Sequence, residues 1–408
     1  MTEGIQVPLE LDDFEVVSSE LVDGVLEVHV RSTFPTACFH CGSIDVVSHG
    51  RHPRRLHDRP CGYPTVLVWD QQRVRCRDCG RTSRQRHPEV PGRRATTGRF
   101  RRLLFEQACR QNFTDVAADN AVSHYRVVEA FDAHAPAALP PMTHAGVLAM
   151  DESSFRRPFG FVTVLFDPLG RVALEMRPGR DQRAATELLW SLPHAAKAQV
   201  RAVVIDCHWP FRKAINEVLP DATVIADRFH VVRAIDTAAQ KVRVRHGRKP
   251  RTERISRDGG TSRQHNPAND PTVYRLRFAF QKRARALRDD ERVALAELFT
   301  RAPEAGAAYW MKEAFSSIYD SPNRAEAARR LAVWEHNLAG APPELKATWR
   351  TLQWWRDEIL NFFPDHHTNA FAEGSTNKIK VLKRAAYGMR NPHRYRHRVL
   401  LACDSRRT

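Results

Sequence analysis

Apolar and polar residues alternate along FEVVSSELVDGVLEVHVRS on both sides of a Val-Asp-Gly turn, which predicts a β-hairpin near the N-terminus. PTVLVW and QQRVRC read as further short strands, suited to a ribbon. From Thr97 to about His134 the apolar positions take helical spacing, and the Pro-rich DAHAPAALPPMTHAG then breaks it as a linker. AGVLAMDESSF, an apolar run ending in an acid, opens a second domain near residue 145. Two strands about a DPLG turn follow in FGFVTVLFDPLGRVALEMRP. Next come helix-like QRAATELLWSLP, strand VRAVVIDCHW, helix PFRKAINEVLP and strand ATVIADRFH.

The order β-β-β-α-β-α-β predicts three antiparallel strands and a helical crossover to a strand parallel with the first, a ribonuclease H-like mixed sheet. After Ala234 the chain turns polar, basic and Gly/Asn-rich to about Pro271, which reads as a flexible loop. Beyond it, Leu345, Trp349, Leu352, Trp355, Ile359 and Phe363 recur at helical steps, and the Trp-rich stretch reads mainly as core. The expected class is multidomain α+β. Its parts are a hairpin and ribbon over 1–90, a helix-turn-helix over 97–135, a linker over 136–144, and a mixed-sheet domain over 145–235 plus 365–402. A basic loop over 236–274 and a helical insertion over 275–364 interrupt that domain.

Charge narrows the choice of partner. Lys and Arg number 64 against 47 Asp and Glu, a formal +17. The excess is clustered, with 16 basic and 5 acidic residues between 51 and 110. Such a surface attracts polyanions, above all nucleic acid. No apolar run reaches the ~18 residues of a membrane span, and the N-terminus lacks the pattern of an export signal. The expectation is a cytoplasmic, nucleoid-associated protein without a membrane partner.

Of the eight cysteines, four form two CxxC pairs, Cys38 with Cys41 and Cys76 with Cys79, each followed by Gly. Two chelating pairs close a tetrahedral shell and leave no open position, which points to structural zinc. The glycines, Gly42 and Gly80, tolerate the left-handed backbone that turns amides toward sulfur.

In NFTDVAADNAVSHYRVVEAFDAH, Asn120 is placed to take the turn conformation and Ser123 to cap a second helix. That helix would present His124, Tyr125 and Arg126 to a DNA groove, with Arg93, Arg94, Arg99, Arg101 and Arg102 nearby. Plain helical packing explains the same pattern equally well.

The acids carry the chemistry. Asp151 follows GVLAM and Asp206 follows VRAVVI, so parallel neighbouring strands would deliver both carboxylates side by side. Their repulsion is relieved by Mg²⁺ (or Mn²⁺), which prefers oxygen ligands and also takes phosphate. A third acid, Glu373, heads a late basic helix and would complete the shell of a second ion. Asn377, Lys380 and Arg384 lie along one face of that helix, where they would hold flanking phosphates, while Ile379, Leu382 and Ala386 would pack inward. Asp227, with His230 three residues on, is the rival for the second position, although capping the helix FHVVRAIDTAAQ is role enough for it. Glu152 should face away from Asp151.

CFHCG with RVRCRDCGRT, LAMDESS, VVIDCHWPFRKAI, ADRFHVV and NAFAEGSTNKIKVLKRAAYGMRN resemble, in that order, insertion-sequence transposases of the ISL-three family. The resemblance covers nearly the whole chain. It implies a zinc ribbon and helix-turn-helix joined to a ribonuclease H-like DDE domain with a helical insertion. By motif, Asp151, Asp206 and Glu373 match the DDE triad, and Asp227 with His230 the DxxH signature beside it. It also implies binding of double-stranded DNA at terminal inverted repeats, metal-dependent hydrolysis and strand transfer into target DNA, by a homodimer or higher assembly. The competing expectation is a DNA-binding regulator or domesticated derivative without cleavage activity. CFHC lacks the proline common in such knuckles, and the basic loop is unusual.

Overall fold

A computed structural model describes residues 9–90, 92, 94–154, 160–247, 271–385 and 391–407. The chain forms two compact units, Met1–Leu139 with Val381–Ala402, and Pro140–Lys380 with Cys403–Thr408.

In the first unit, strands β1 (Phe14–Val22) and β2 (Val25–Ser32) make the expected hairpin, and the intervening Asp23 and Gly24 take φ of 49° and 79°. Both signs are positive, as a two-residue turn that follows the strand twist requires. Strand β3 spans Val46–Asp58, β4 Thr65–Cys76 and β5 Thr82–Arg84, in the order β1-β2-β4-β3 with β5 also on β4. The two predicted pieces PTVLVW and QQRVRC are thus one strand, β4. Nothing in the charged, Pro-containing VVSHGRHPRRLHD announces β3 by pattern. It is tolerated because β3 lies at a sheet edge, where proline is allowed, and a register shift falls between Ser48 and Arg51. Leu26, Val28, Val30, Leu56, Leu67 and Trp69 form the core of this sheet.

Helices α1 (Gly98–Arg110), α2 (Phe113–Asp119) and α3 (His124–Ala138) follow, capped by Thr97 on α1 and Asn112 on α2. Phe100, Leu104, Phe113, Val127 and Phe131 join them in one core. Two local expectations need correction. Ala121, not Asn120, takes the left-handed turn conformation at φ 50°, and Asn120 instead turns inward to donate to Gln107 Oε1 at 2.6 Å. Ser123 occupies the cap position of α3 without a side-chain hydrogen bond. The linker expected from 136 also starts later, because α3 carries Pro136 in its last turns and ends at Ala138.

In the second unit, β6 (Val147–Ser154), β7 (Phe161–Asp167) and β8 (Val172–Pro178) run antiparallel. Helices α4 (Gln182–Trp190) and α5 (His194–Lys197) lead to β9 (Ala202–Ile205), and α6 (Trp209–Val218) leads to β10 (Thr223–Ala226). The order is β10-β9-β6-β7-β8, with β6, β9 and β10 parallel. This is the strand sequence and direction predicted from the apolar runs. Strands β6 to β9 are buried almost continuously, so both faces of the sheet are covered.

Helix α7 spans Arg228–Gly247, so the expected loop from 236 begins as helix; residues 248–270 lie outside the described residues. The insertion then comprises α8 (Pro271–Arg275), α9 (Arg277–Gln281), α10 (Asp289–Arg301), α11 (Pro303–Ile318), α12 (Arg324–Asn337), α13 (Pro343–Leu352) and α14 (Arg356–Leu360). The apolar stripe from Leu345 to Phe363 is fully buried, but a 3₁₀ turn at Gln353–Trp355 divides it between α13 and α14. Trp334, Trp349 and Trp355 are core residues, whereas Trp310 and Trp354 are exposed. Helix α15 (Ala370–Ala385) begins in this second unit. The last helix, α16 (Pro392–Ala402), belongs to the first unit, where Arg394 pairs with Asp132 and Arg398 donates to Gln111 O. Helix α16 therefore packs with the N-terminal helices rather than with the sheet domain to which sequence order assigned it.

Candidate active site

The register of three parallel strands builds the site. Met150 pairs with Ile205, and Ile205 with Ala226. The next residue in each case is an aspartate, so Asp151, within β6, and Asp206 and Asp227, just past the ends of β9 and β10, form one row. Adjacent strands lie about 4.8 Å apart, which crowds three carboxylates together. Asp227 is further tied to the middle strand by its amide, which donates to Ile205 O at 2.8 Å.

His230 relieves part of that repulsion. Its Nδ1 contacts Asp227 Oδ2 at 2.7 Å and stands 2.9 Å from Asp206 Oδ1. The one N–H satisfies Asp227, leaving Asp206 Oδ1 buried within ion-pair range but without a hydrogen bond. Burial opposes charge on the imidazole, yet Asp206 and Asp227 outweigh it and carry its pKa up to about 10. Ligand atoms of Asp206, Asp227 and His230 all lie within 4.8 Å of one another. Asp227 caps α7 as well, accepting from His230 N at 3.3 Å, so the structural role expected of it coexists with its place in the cluster.

Asp151 is buried on β6, and burial pushes its carboxyl above the ordinary range. The Thr376 hydroxyl opposes that shift with a 2.6 Å hydrogen bond to Asp151 Oδ2, while the Asp206 charge adds to it. Glu152, on the opposite face, pairs with Arg180 at 3.2 Å.

The start of α15 spans this row. Asn369 N donates to Asp227 Oδ1 at 3.2 Å, and Thr376 reaches Asp151 seven residues later. Half-buried Glu373 lies between these anchors, one turn ahead of Thr376 and so on the same helix face. Neither Asn369 nor Thr376 was singled out from sequence. For Thr376, the three-residue step from Glu373 was the available signal. Along the same helix Asn377, Lys380 and Arg384 are exposed and Ile379 and Leu382 buried, while Ala386 lies outside the described residues.

In the first unit, the Sγ atoms of Cys38, Cys41, Cys76 and Cys79 converge, with 3.6 Å between Cys38 and Cys79 and 3.6 Å between Cys41 and Cys76. A tetrahedron of ~2.3 Å zinc–sulfur bonds has edges of roughly this length. The two knuckles are built alike. In each, the Gly amide bonds the first Cys carbonyl, and φ is 76° at Gly42 and 68° at Gly80. Amides of His40 and Cys41 face the Cys38 sulfur and hold its pKa down to about 6.

His124 and Tyr125 are exposed at the start of α3, and Arg126 is half-buried. Most of the arginines nearby have acidic partners or are buried. Arg99 pairs with fully buried Asp58, Arg94 with Glu129 and Arg102 with Glu89, and Arg101 is itself buried; Arg93 lies outside the described residues. Among the described residues no helix is long and apolar enough to cross a membrane.

Residues 148–399, which include Asp151, Asp206, Asp227 and Glu373, match the ISL3-type DDE family model described as Transposase. The chain is 28% identical over 384 residues to the "Transposase for insertion sequence element IS1001" of Bordetella parapertussis, covering 90% of this chain and 88% of that protein. With the model matching well over half of its length, the chain belongs to the ISL3 family of transposases.

Proposed function

We propose that the protein is an active DNA transposase whose ribonuclease H-like sheet carries a DDE centre made of Asp151, Asp206 and Glu373. The observation that carries this reading is the row of aspartates on neighbouring parallel strands with α15 anchored across it, through Asn369 at one end and Thr376 at the other. An all-oxygen donor set with a buried, hydrogen-bond-free Asp206 Oδ1 suits a hard divalent cation. Asp151, Asp206 and Glu373 would hold Mg²⁺ (or Mn²⁺), with Asp227 in reserve; such ions activate the attacking oxygen and stabilise the leaving one in phosphodiester hydrolysis and strand transfer. His230 keeps Asp206 and Asp227 oriented by supplying a positive charge between them.

The remaining assignments follow from placement and charge. Cys38, Cys41, Cys76 and Cys79 hold a structural zinc that organises the ribbon. The α2–α3 hairpin acts as a helix-turn-helix, with His124, Tyr125 and Arg126 reading the terminal repeat. Exposed Asn377, Lys380 and Arg384 hold the phosphates flanking the scissile one. Handling two ends at once calls for a dimer or larger assembly on DNA, in the cytoplasm at the nucleoid. The test is incubation with Mg²⁺ and a plasmid bearing the element's own flanks, followed by mapping of broken ends. Wild type should nick at the element ends and Glu373→Gln should not. Intact plasmid in both cases would favour a DNA-binding regulator.

A further inference from the structure

One cavity opens beside the aspartate row and plays no part in the chemistry above. It encloses about 570 Å³ between α7 and the end of α9, lined by Phe229, Val232, Arg233, Asp236, Thr237, Gln240 and Gln281. Small-ligand sites commonly enclose about 300–1,000 Å³. The Phe229 ring lies 5.6 Å from the ring of His230, which itself pairs with Asp206 and Asp227, so one end of the cavity lies next to the carboxylate cluster. Phe229, Arg233, Asp236 and Gln240 recur at helical steps and so share one face.

Three features of the lining point to one kind of occupant. Phe229 is 47% exposed, a large apolar ring left in solvent beside charged groups. Arg233 lies over that ring, its guanidinium carbon 5.8 Å from the centroid. Half-buried Asp236 has no hydrogen bond or ion pair to its carboxylate among the described residues. The ammonium of nearby Lys312 is taken up by Lys282 O at 2.8 Å and by Glu313 at 3.1 Å. An exposed ring, a cation lying over it and an acceptor without a hydrogen-bond partner on the same helix face match a base, its phosphate and its amino group.

We infer that this cavity receives one unstacked nucleobase of the DNA strand lying at the aspartate row, an inference that rests on the reading of the protein as a DNA-cutting enzyme. Phe229 stacks on the base, Arg233 neutralises the adjoining phosphate, and Asp236 accepts from the exocyclic amine. Adenine, cytosine and guanine carry that amine, and thymine does not. Arg233 takes the phosphate rather than the base because its side chain is exposed at the rim. Removing one base from its stack costs a few kcal/mol, which stacking on an aromatic ring and a new hydrogen bond offset.

The probe is a thymidine hexanucleotide with one central 2-aminopurine, titrated into full-length protein without added Mg²⁺. Wild type should quench the fluorescence. Phe229→Ala should weaken binding about tenfold, the usual scale for losing one stacked base, and Phe229→Trp should retain it. Oligo-dC should compete better than oligo-dT against wild type but not against Asp236→Leu, which has no acceptor. Unchanged thermal melting of Phe229→Ala would separate lost binding from lost folding. Affinity of Phe229→Ala within about twofold of wild type, or absence of quenching by wild type, overturns the inference. Plasmid nicking, run in parallel, reports on the enzyme reading separately. Nicking with Phe229-independent binding removes only the cavity, whereas Phe229-dependent binding without nicking removes only the catalysis.

Discussion

Thr376→Val tests whether one hydroxyl holds α15, and with it Glu373, against the sheet. Thr376 and Asp151 are 4% and 7% exposed, and their oxygens are 2.6 Å apart. A hydrogen bond to a charged group contributes about 1.5–3 kcal/mol, and water has little access to replace it here. Valine keeps the shape and removes the donor, so the local opening energy of the helix should fall by roughly that amount. At about 1.4 kcal/mol per decade, amide exchange in the first turns of α15 should accelerate about 10- to 150-fold. Hydrogen exchange read by mass spectrometry on peptides from this helix measures that directly and does not depend on how the two units unfold. Thr376→Ser keeps the hydroxyl and should lie much closer to wild type. Mg²⁺-dependent nicking should fall in the same order, Val below Ser. If Val exchanged as slowly as wild type while Ser exchanged fast, the methyl group rather than the hydroxyl would be the anchor, and the account of how Glu373 is positioned would fail.

Three other predictions concern the remaining centres. Asp206→Asn should abolish nicking and cost less stability than Asp227→Asn, because Asp206 pairs only with His230, which Asp227 still holds, whereas Asp227→Asn weakens the α7 cap, the Asn369 contact and the His230 pair together; Asp227→Asn with full stability and no activity would reverse their ranking. Purified protein should carry one zinc per chain, and Cys38→Ser or strong chelation should expose the segment from 38 to 79 to protease while leaving the second unit resistant. His57 titrates at about 4 rather than 6.5, lowered by burial and then by Arg126 and Arg55. The unfolded chain therefore binds this proton first, so stability of the first unit should be full above pH 6.5 and decline as the pH falls toward 4. His57→Gln should flatten that decline in a pH series of thermal melts.

Much of the architecture was written in local pattern. Alternation about Val-Asp-Gly determined the first hairpin, because only a two-residue turn with positive φ joins strands so closely. The CxxCG spacing determined two matching knuckles, since chelation geometry needs no information from elsewhere in the chain. Continuous apolar runs ending in acids determined the parallel strands and the ends at which Asp151, Asp206 and Asp227 emerge.

Tertiary structure decided the rest. Strand β3 exists because β4 offers it a partner at an edge, which no periodicity in its own charged sequence could reveal. The arginines near α1 look like a DNA surface until Asp58, Glu89 and Glu129 are found beside them. Sequence supplied Asp206 and Asp227 as rivals for one position and Glu373 as the third acid. Register placed the two aspartates in the same row, and contacts 142 and 225 residues apart in sequence brought α15 across it. Local pattern encodes the short-range sterics of each element, whereas a site assembled from strand ends and a distant helix exists only once loop-closure entropy has been overcome by packing.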